Sequence, residues 1–197
     1  MSDAAARAPA IGEQRPAVFL DRDGTLIRDE HYLADADRVV PIAGAAEAIA
    51  TLRAAGFAIV VITNQSGLAR GLITPAQYDA VRARTDALFA AAGAPLEATY
   101  MCPHHPSLTQ PCACRKPGLG LYMRAARELG LDLRRSILIG DRWRDIAAAA
   151  PLGARGILVP NAATPPEEVE QGRRDAVIAP TLAAAASLIL AQWHARV

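Results

Sequence analysis

Short apolar runs alternate with helical stretches along most of this chain. Ala17–Leu20, Ala58–Ile62, Thr99–Cys102, Ile137–Ile139, Gly156–Val159 and Ala176–Ile178 predict strands. Between them, Ala45–Ala55 is rich in helix formers and is closed by Gly56, a C-terminal cap. Thr74-Pro75-Ala76-Gln77 supplies an N-cap, a proline at the first helical position and a capping glutamine, for a helix reaching Ala92 and stopping at Gly93. Leu119–Leu129 ends at Gly130, Asp145–Ala150 opens a further helix, and Ala183–Trp193 packs as another. Asn161–Pro166 reads as a surface loop before a Glu-rich helix start. Strands alternating with helices predict an α/β fold, a parallel sheet with crossover helices.

Polar residues at the ends of the apolar runs give this pattern its chemistry. Asp21-Arg22-Asp23-Gly24-Thr25 follows Ala17–Leu20, so two carboxylates reach the C-terminal end of a buried strand, the rim where open parallel sheets bind ligands. Two acids in that spacing suit phosphoryl transfer: one attacks phosphorus, the other moves the proton of the leaving oxygen, and a divalent cation screens both. An ordinary acidic turn is the competing reading. Thr63-Asn64-Gln65-Ser66-Gly67 follows Ala58–Ile62 and offers a hydroxyl and backbone N–H groups to phosphate oxygens, or else a polar cap. Asp141 follows Ile137–Ile139, with Asp145 one helical turn later as an outer partner or a helix cap.

Composition sharpens two points. The 21 basic residues are 20 Arg and a single Lys, Lys116, which can neutralise a phosphoryl oxygen or a nucleophilic carboxylate; a solvated surface lysine is the alternative. All three cysteines precede it, as Cys102-x-His104-x7-Cys112-x-Cys114. Three sulfurs and one nitrogen form a closed tetrahedral zinc shell, structural because no position stays open. His105 competes with His104, but the C-x-H pairing favours His104, and three buried free thiols are the remaining option. Pro103, Pro106 and Pro111 leave the 102–114 loop without a core of its own, so the metal would order it and deliver Arg115-Lys116.

The rest bounds the class. A chain of 197 residues with formal charge +1 fits one domain over 17–197 and gives no electrostatic reason for a nucleic-acid or membrane partner. The longest apolar stretches, such as Leu182–Leu190, are too short to span a bilayer. Met1–Pro16 lacks the apolar centre of a signal peptide and reads as a mobile tail on a cytoplasmic, monomeric protein.

The four motif segments, in this order on four strands, resemble the haloacid dehalogenase (HAD) superfamily of aspartate-nucleophile phosphatases over Ala17–Val159. The resemblance implies a Rossmann-like fold with helices on both faces, no large cap domain and a zinc-loop insertion. It implies Asp21 as nucleophile, Asp23 as general acid/base, Thr63 and Lys116 steadying the phosphoryl group, and Mg²⁺ held by Asp21, Asp141 and the backbone carbonyl of Asp23. The zinc loop is similar to that of the histidinol-phosphate and heptose-bisphosphate phosphatase group. Phe19–Ile27, Thr63–Gly71 and Cys102-Pro103-His104-His105-Pro106 are most similar to the D-glycero-D-manno-heptose-1,7-bisphosphate 7-phosphatases of nucleotide-heptose biosynthesis. In that family Asp29, Glu30, His31 and Tyr32 border the sugar, Asn64, Gln65, Ser66 and Arg70 line the site with Thr63 and Lys116, and Arg115 and Arg142 contact substrate. The seven-residue gap between the metal pairs is nearer the histidinol-phosphate type, which keeps that activity as the competitor. Arg22, Arg28, Arg70, Arg115, Lys116, Arg142 and Arg144 flank the motif loops, a surplus of cations that suits a doubly anionic substrate. The non-enzyme alternative is a zinc-stabilised phospho-acceptor or binding domain.

Overall fold

The apolar runs assemble into one six-stranded parallel sheet in a computed structural model that describes residues 14–194. The strands are β1 (Arg15–Leu20), β2 (Ala58–Asn64), β3 (Ala98–Cys102), β4 (Leu131–Gly140), β5 (Arg155–Leu158) and β6 (Val177–Ile178), in spatial order β3-β2-β1-β4-β5-β6. Strand order reverses between β1 and β4, so the crevice beyond their C-terminal ends is where this topology binds ligands. Helices cover both faces, as a parallel sheet requires. Val18, Leu20, Ile59 and Val61 point to one side, against α1 (Ala45–Ala54), α2 (Pro75–Ala91) and α7 (Leu182–His194). Ala17, Phe19, Val60 and Ile62 point to the other, against α3 (Gly120–Leu129) and α4 (Trp143–Ile146). There the Tyr122 ring stands edge-on to Phe19 at 5.4 Å between centroids.

The caps read from sequence are present. Thr74 Oγ1 accepts from Gln77 N while Gln77 Oε1 accepts from Thr74 N, and Gly130 closes α3 at φ 65°. The connection from β1 to α1 carries only a 3₁₀ turn, Ala36–Arg38, so no cap domain is inserted there.

Three expectations need correction. β1 begins at Arg15, so Arg15 and Pro16 belong to the sheet rather than to the tail; of that segment, exposed Gln14 precedes the strand and 1–13 lie outside the described residues. β4 is far longer than Ile137–Ile139. Arg15 and Pro16 pair with Leu131 and Asp132 ahead of a register shift. The polar stretch Asp132–Ser136 bridges that shift, with Ser136 Oγ accepting the Ala17 N–H at 2.9 Å. Such a bulge is a backbone event that apolar periodicity does not report. The helix expected over Asp145–Ala150 is two short ones, α4 and α5 (Ala149–Leu152), because Pro151 has no N–H for the Ala147 carbonyl and its ring crowds that group. α6 (Pro166–Asp175) follows the loop after β5. Among the described residues no helix is long and apolar enough to cross a membrane.

Candidate active site

The chain leaves β1 through Asp21, whose N–H is bonded to Ile139 O of β4 at 3.0 Å, so the first carboxylate is fixed to the two central strands. Gly24 then turns the chain at φ 85°, and a Cβ there would come within 2.6 Å of Asp141 Oδ2. Only glycine satisfies both the backbone and the carboxylate.

Asp21, Asp141 and Asp145 are buried, and one ligand atom from each lies within 4.8 Å of the others. Lys116 enters from the loop after β3. Its Nζ donates to Asp21 Oδ1 at 2.6 Å and to Ile62 O at 2.7 Å, and lies 2.8 Å from Asp145 Oδ1. Three carboxylates around one ammonium leave a net negative site. Burial pushes the Asp21 carboxyl up to about 8; Lys116 pulls it down, while Asp145, Asp23 and Asp141 push it further up. Burial lowers Lys116, but Asp145 and Asp21 more than offset this and hold it cationic, above the ordinary lysine range. Burial, with Asp145, pushes Asp141 up to about 6. Asp141 Oδ1 is buried without a hydrogen-bond partner. A hard divalent cation meets all of these needs at once, so the residues present fit Mg²⁺.

Asp145 is more than the outer partner expected. Its Oδ2 accepts the Arg142 N–H at 3.0 Å, capping α4, while its Oδ1 faces Lys116. Gly140 makes room for it, since a Cβ there would meet Asp145 Cβ at 2.3 Å. The Asn161–Pro166 loop is likewise no mere surface connection. Asn161 Nδ2 donates to Asp141 Oδ2 at 2.9 Å and to Gly24 O at 3.2 Å, and buried Thr164 donates to the Asp141 carbonyl. Nothing in the sequence marked this latch except a polar residue three positions beyond a strand end.

The cavity above the carboxylates measures about 360 Å³. It is lined by Asp21, Asp23, Asp29, His31, Tyr32, Thr63, Asn64, Gln65, Ser66, Arg115, Lys116, Asp141 and Arg142 from the sequence-based set, and also by Arg22, His105, Arg144 and Asp145. Glu30 and Arg70 stand outside the lining. Glu30 pairs with Arg38, and Arg70 donates to the Tyr32 hydroxyl and lies over its ring, tying the loop after β1 to the loop after β2. Asn64 faces the cavity but spends its amide on the Lys116 backbone. Arg142 is held on one edge by Glu168 of α6, through Nε at 3.0 Å and a terminal nitrogen at 2.7 Å.

Beside the cavity, Cys102, His104, Cys112 and Cys114 bring one ligand atom each within 4.8 Å of one another. The separations are 3.6 Å for Cys102 Sγ to His104 Nδ1, 3.8 Å for Cys102 to Cys112, and 3.2 Å for Cys114 to both Cys102 Sγ and His104 Nδ1. A tetrahedral shell with zinc–sulfur bonds of about 2.3 Å has edges of about 3.5–3.8 Å; Cys102 to His104 and Cys102 to Cys112 match it and Cys114 sits closer in, and three sulfurs with one nitrogen are a donor set that suits zinc. His105 stays out of the cluster. The loop also carries Arg115, which donates to the His104 carbonyl at 3.1 Å.

Acids at two central strand ends, a buried lysine between them and this strand order are the arrangement of a hydrolase of the HAD type. Residues 113–185 match the HAD-hydrolase-like family. The D-glycero-beta-D-manno-heptose-1,7-bisphosphate 7-phosphatase of Photorhabdus laumondii is 42% identical over 139 residues, 68% of this chain and 74% of that protein. The protein of the same name from Escherichia coli K12 is 41% identical over 139 residues, 68% of this chain and 73% of its own. The crystal structure of D,D-heptose 1,7-bisphosphate phosphatase from B. bronchiseptica, complexed with magnesium and phosphate, superposes with a TM-score of 0.79 at 35% identity, covering 90% of this chain and 99% of that one. The chain belongs to the family of D-glycero-D-manno-heptose-1,7-bisphosphate 7-phosphatases.

Proposed function

We propose that this chain is a Mg²⁺-dependent phosphatase that removes the 7-phosphate of D-glycero-D-manno-heptose 1,7-bisphosphate in nucleotide-heptose biosynthesis. The observation that carries the reading is the Lys116 Nζ–Asp21 Oδ1 contact of 2.6 Å inside a buried carboxylate cluster. It keeps Asp21 in place beside a fixed positive charge, as a nucleophile needs before an anion arrives. Asp21 attacks phosphorus and becomes a phosphoaspartate. Asp23 gives its proton to the leaving oxygen, then takes one from the water that hydrolyses the intermediate. Thr63 donates its hydroxyl to a phosphoryl oxygen, and Lys116, whose three N–H groups go to Asp21, Asp145 and the Ile62 carbonyl, steadies the phosphoryl group by its positive charge. Asp21, Asp141 and the Asp23 carbonyl would hold Mg²⁺, which would screen the nucleophile's charge from the phosphate; Asp145 stands beside them. Cys102, His104, Cys112 and Cys114 would hold zinc, which would order the backbone that presents Arg115.

Arg115, Arg142 and Arg144 at the rim support a second anionic group on the substrate over the amine of histidinol phosphate. In this reading the enzyme works in the cytoplasm as a monomer, on a small sugar and without a nucleic-acid partner. The test is phosphate release with Mg²⁺ from the 1α- and 1β-heptose bisphosphates and from histidinol phosphate. Preference for either bisphosphate upholds the reading and sets the anomer; preference for histidinol phosphate overturns it.

A further inference from the structure

Gln65 was expected to touch substrate, yet its side chain is already committed. Its Nε2 donates to Asp23 Oδ2 at 2.7 Å and to Thr63 Oγ1 at 2.8 Å, and the residue is 6% exposed. A primary amide nitrogen has two hydrogens, and both are used. The orientation suits an ionised Asp23, against which a flipped amide would set its oxygen. Thr63, having accepted from Gln65, keeps its own proton to donate into the cavity it lines. Asp23 is also held by Arg22, whose Nε lies 3.2 Å from both carboxylate oxygens and whose terminal nitrogen lies 3.0 Å from Oδ2. Arg22 is itself buried and rests against the Tyr78 ring, 5.7 Å from its centroid.

We propose that Gln65 is a positioning residue that sets the Asp23 carboxyl and the Thr63 hydroxyl at a fixed separation, so that the proton donor and the phosphoryl clamp address the same phosphate together. This rests on the reading of Asp23 as the acid/base. In the step concerned the Asp21–phosphorus bond forms as the phosphorus–oxygen bond to the sugar breaks. Asp23 passes its proton to that oxygen, which leaves as the alcohol. A misaligned Asp23 delays only departures that need the proton. A leaving group stable as its anion does not need it.

The backbone N–H of Gln65 is bonded to Cys102 O at 2.7 Å, which the side-chain change does not touch, so the turn survives substitution. The experiment is a rapid-quench measurement of enzyme phosphorylation by a sugar phosphate and by p-nitrophenyl phosphate, with Mg²⁺. Wild type, Gln65→Leu and the isosteric Gln65→Glu are compared, with Asp23→Asn in parallel. The expected result is phosphorylation by the sugar phosphate slowed about 10–100-fold in both Gln65 variants, with the p-nitrophenyl ester slowed less than about threefold, a fraction of what full acid catalysis supplies. Equal slowing of both esters, or a higher KM with unchanged phosphorylation rate, overturns the positioning role when Asp23→Asn still discriminates between the esters. Absence of discrimination in Asp23→Asn overturns the acid/base reading itself, and the proposal with it.

Discussion

The side-chain amide of Asn64 brackets the peptide unit of Lys116. Its Oδ1 accepts the Lys116 N–H at 3.0 Å and its Nδ2 donates to the Lys116 carbonyl at 3.3 Å. The end of β2 therefore holds, by two bonds, the backbone of the loop that carries Lys116. Asn64→Ala removes both. We expect a loss of about 1–2 kcal/mol in urea unfolding, since two partly buried backbone groups lose partners, and a fall in kcat of about tenfold or more as Lys116 drifts from Asp21.

Lys116 is the one lysine in the chain, and its surroundings explain why arginine does not replace it. The ammonium reaches Asp21, Asp145 and the Ile62 carbonyl in three directions from one nitrogen, whereas a guanidinium is a planar fork. Lys116→Arg should retain charge yet keep below about 1% of kcat, and Lys116→Met should lose activity and leave two buried carboxylates facing each other. Circular dichroism and zinc content check that both variants remain folded. Near-normal turnover in Lys116→Arg would mean that positive charge alone suffices.

Stability without Mg²⁺ should depend on pH in a direction fixed by Asp21. Burial raises its carboxyl from the ordinary 3.8 to about 8, so the folded protein binds this proton more tightly than the unfolded chain. For this group, stability declines as pH rises between those two values and levels off above the higher one. Mg²⁺ displaces the proton, so its effect on Tm should grow between about pH 6 and about pH 8.5. Thermal scans of the zinc-loaded protein, with and without Mg²⁺, read this directly; an Mg²⁺ increment that shrinks with pH contradicts it.

Much of the site was legible because it sits where apolar runs stop. Asp21, Thr63 and Asp141 each follow a run that had to be a buried strand, and parallel strands deliver their C-terminal residues to one rim. The convergence of Cys102, His104, Cys112 and Cys114 was legible from their spacing. Asn161 and Glu168 were not. Asn161 meets Gly24 across 137 positions, and Glu168 meets Arg142 across 26. Such contacts exist only because β5 follows β4 in the sheet and folds its trailing loop back over the rim. Asp145 was half legible: its distance from Arg142 marks a cap, but nothing local says that its second oxygen turns toward Lys116. The break between α4 and α5 could have been read, since Pro151 stands four residues past Ala147.

Glu168 fastens α6 to the mouth of the site. Besides Arg142, it accepts the Trp143 N–H at 2.6 Å, satisfying a donor in the first turn of α4. Glu168→Ala should lower stability by about 1–2 kcal/mol near neutral pH and raise KM for a bisphosphate more than for a monophosphate as Arg142 loosens. Burial pushes the Glu168 carboxyl up, but the bonds from Arg142 and Trp143 outweigh it and hold the carboxyl below its ordinary 4.5. The stabilisation is therefore complete above that value and is lost as pH falls through the lower folded value. Urea midpoints of wild type and variant should converge in acid; a gap that widens there counts against the ion pair.

The zinc loop gives the sharpest separation of roles. The Cys102, His104, Cys112 and Cys114 cluster is separate from the group formed by Asp21, Asp141 and Asp145, but Arg115 is anchored on the His104 carbonyl, and Lys116 follows it directly. Cys112→Ser removes one of the four clustered donors from a loop in which Pro106 and Pro111 are exposed and Pro103 is half-buried. Zinc content, measured by emission spectrometry on the purified protein, should fall well below one per chain. Loss of the anchor should first raise KM for a doubly phosphorylated substrate by about tenfold or more, then reduce kcat as Lys116 is released. A variant that lacks zinc but keeps both constants would show that the hydrogen bonds of Asn64 position Lys116 without the metal, and that Arg115 needs no anchor on the loop.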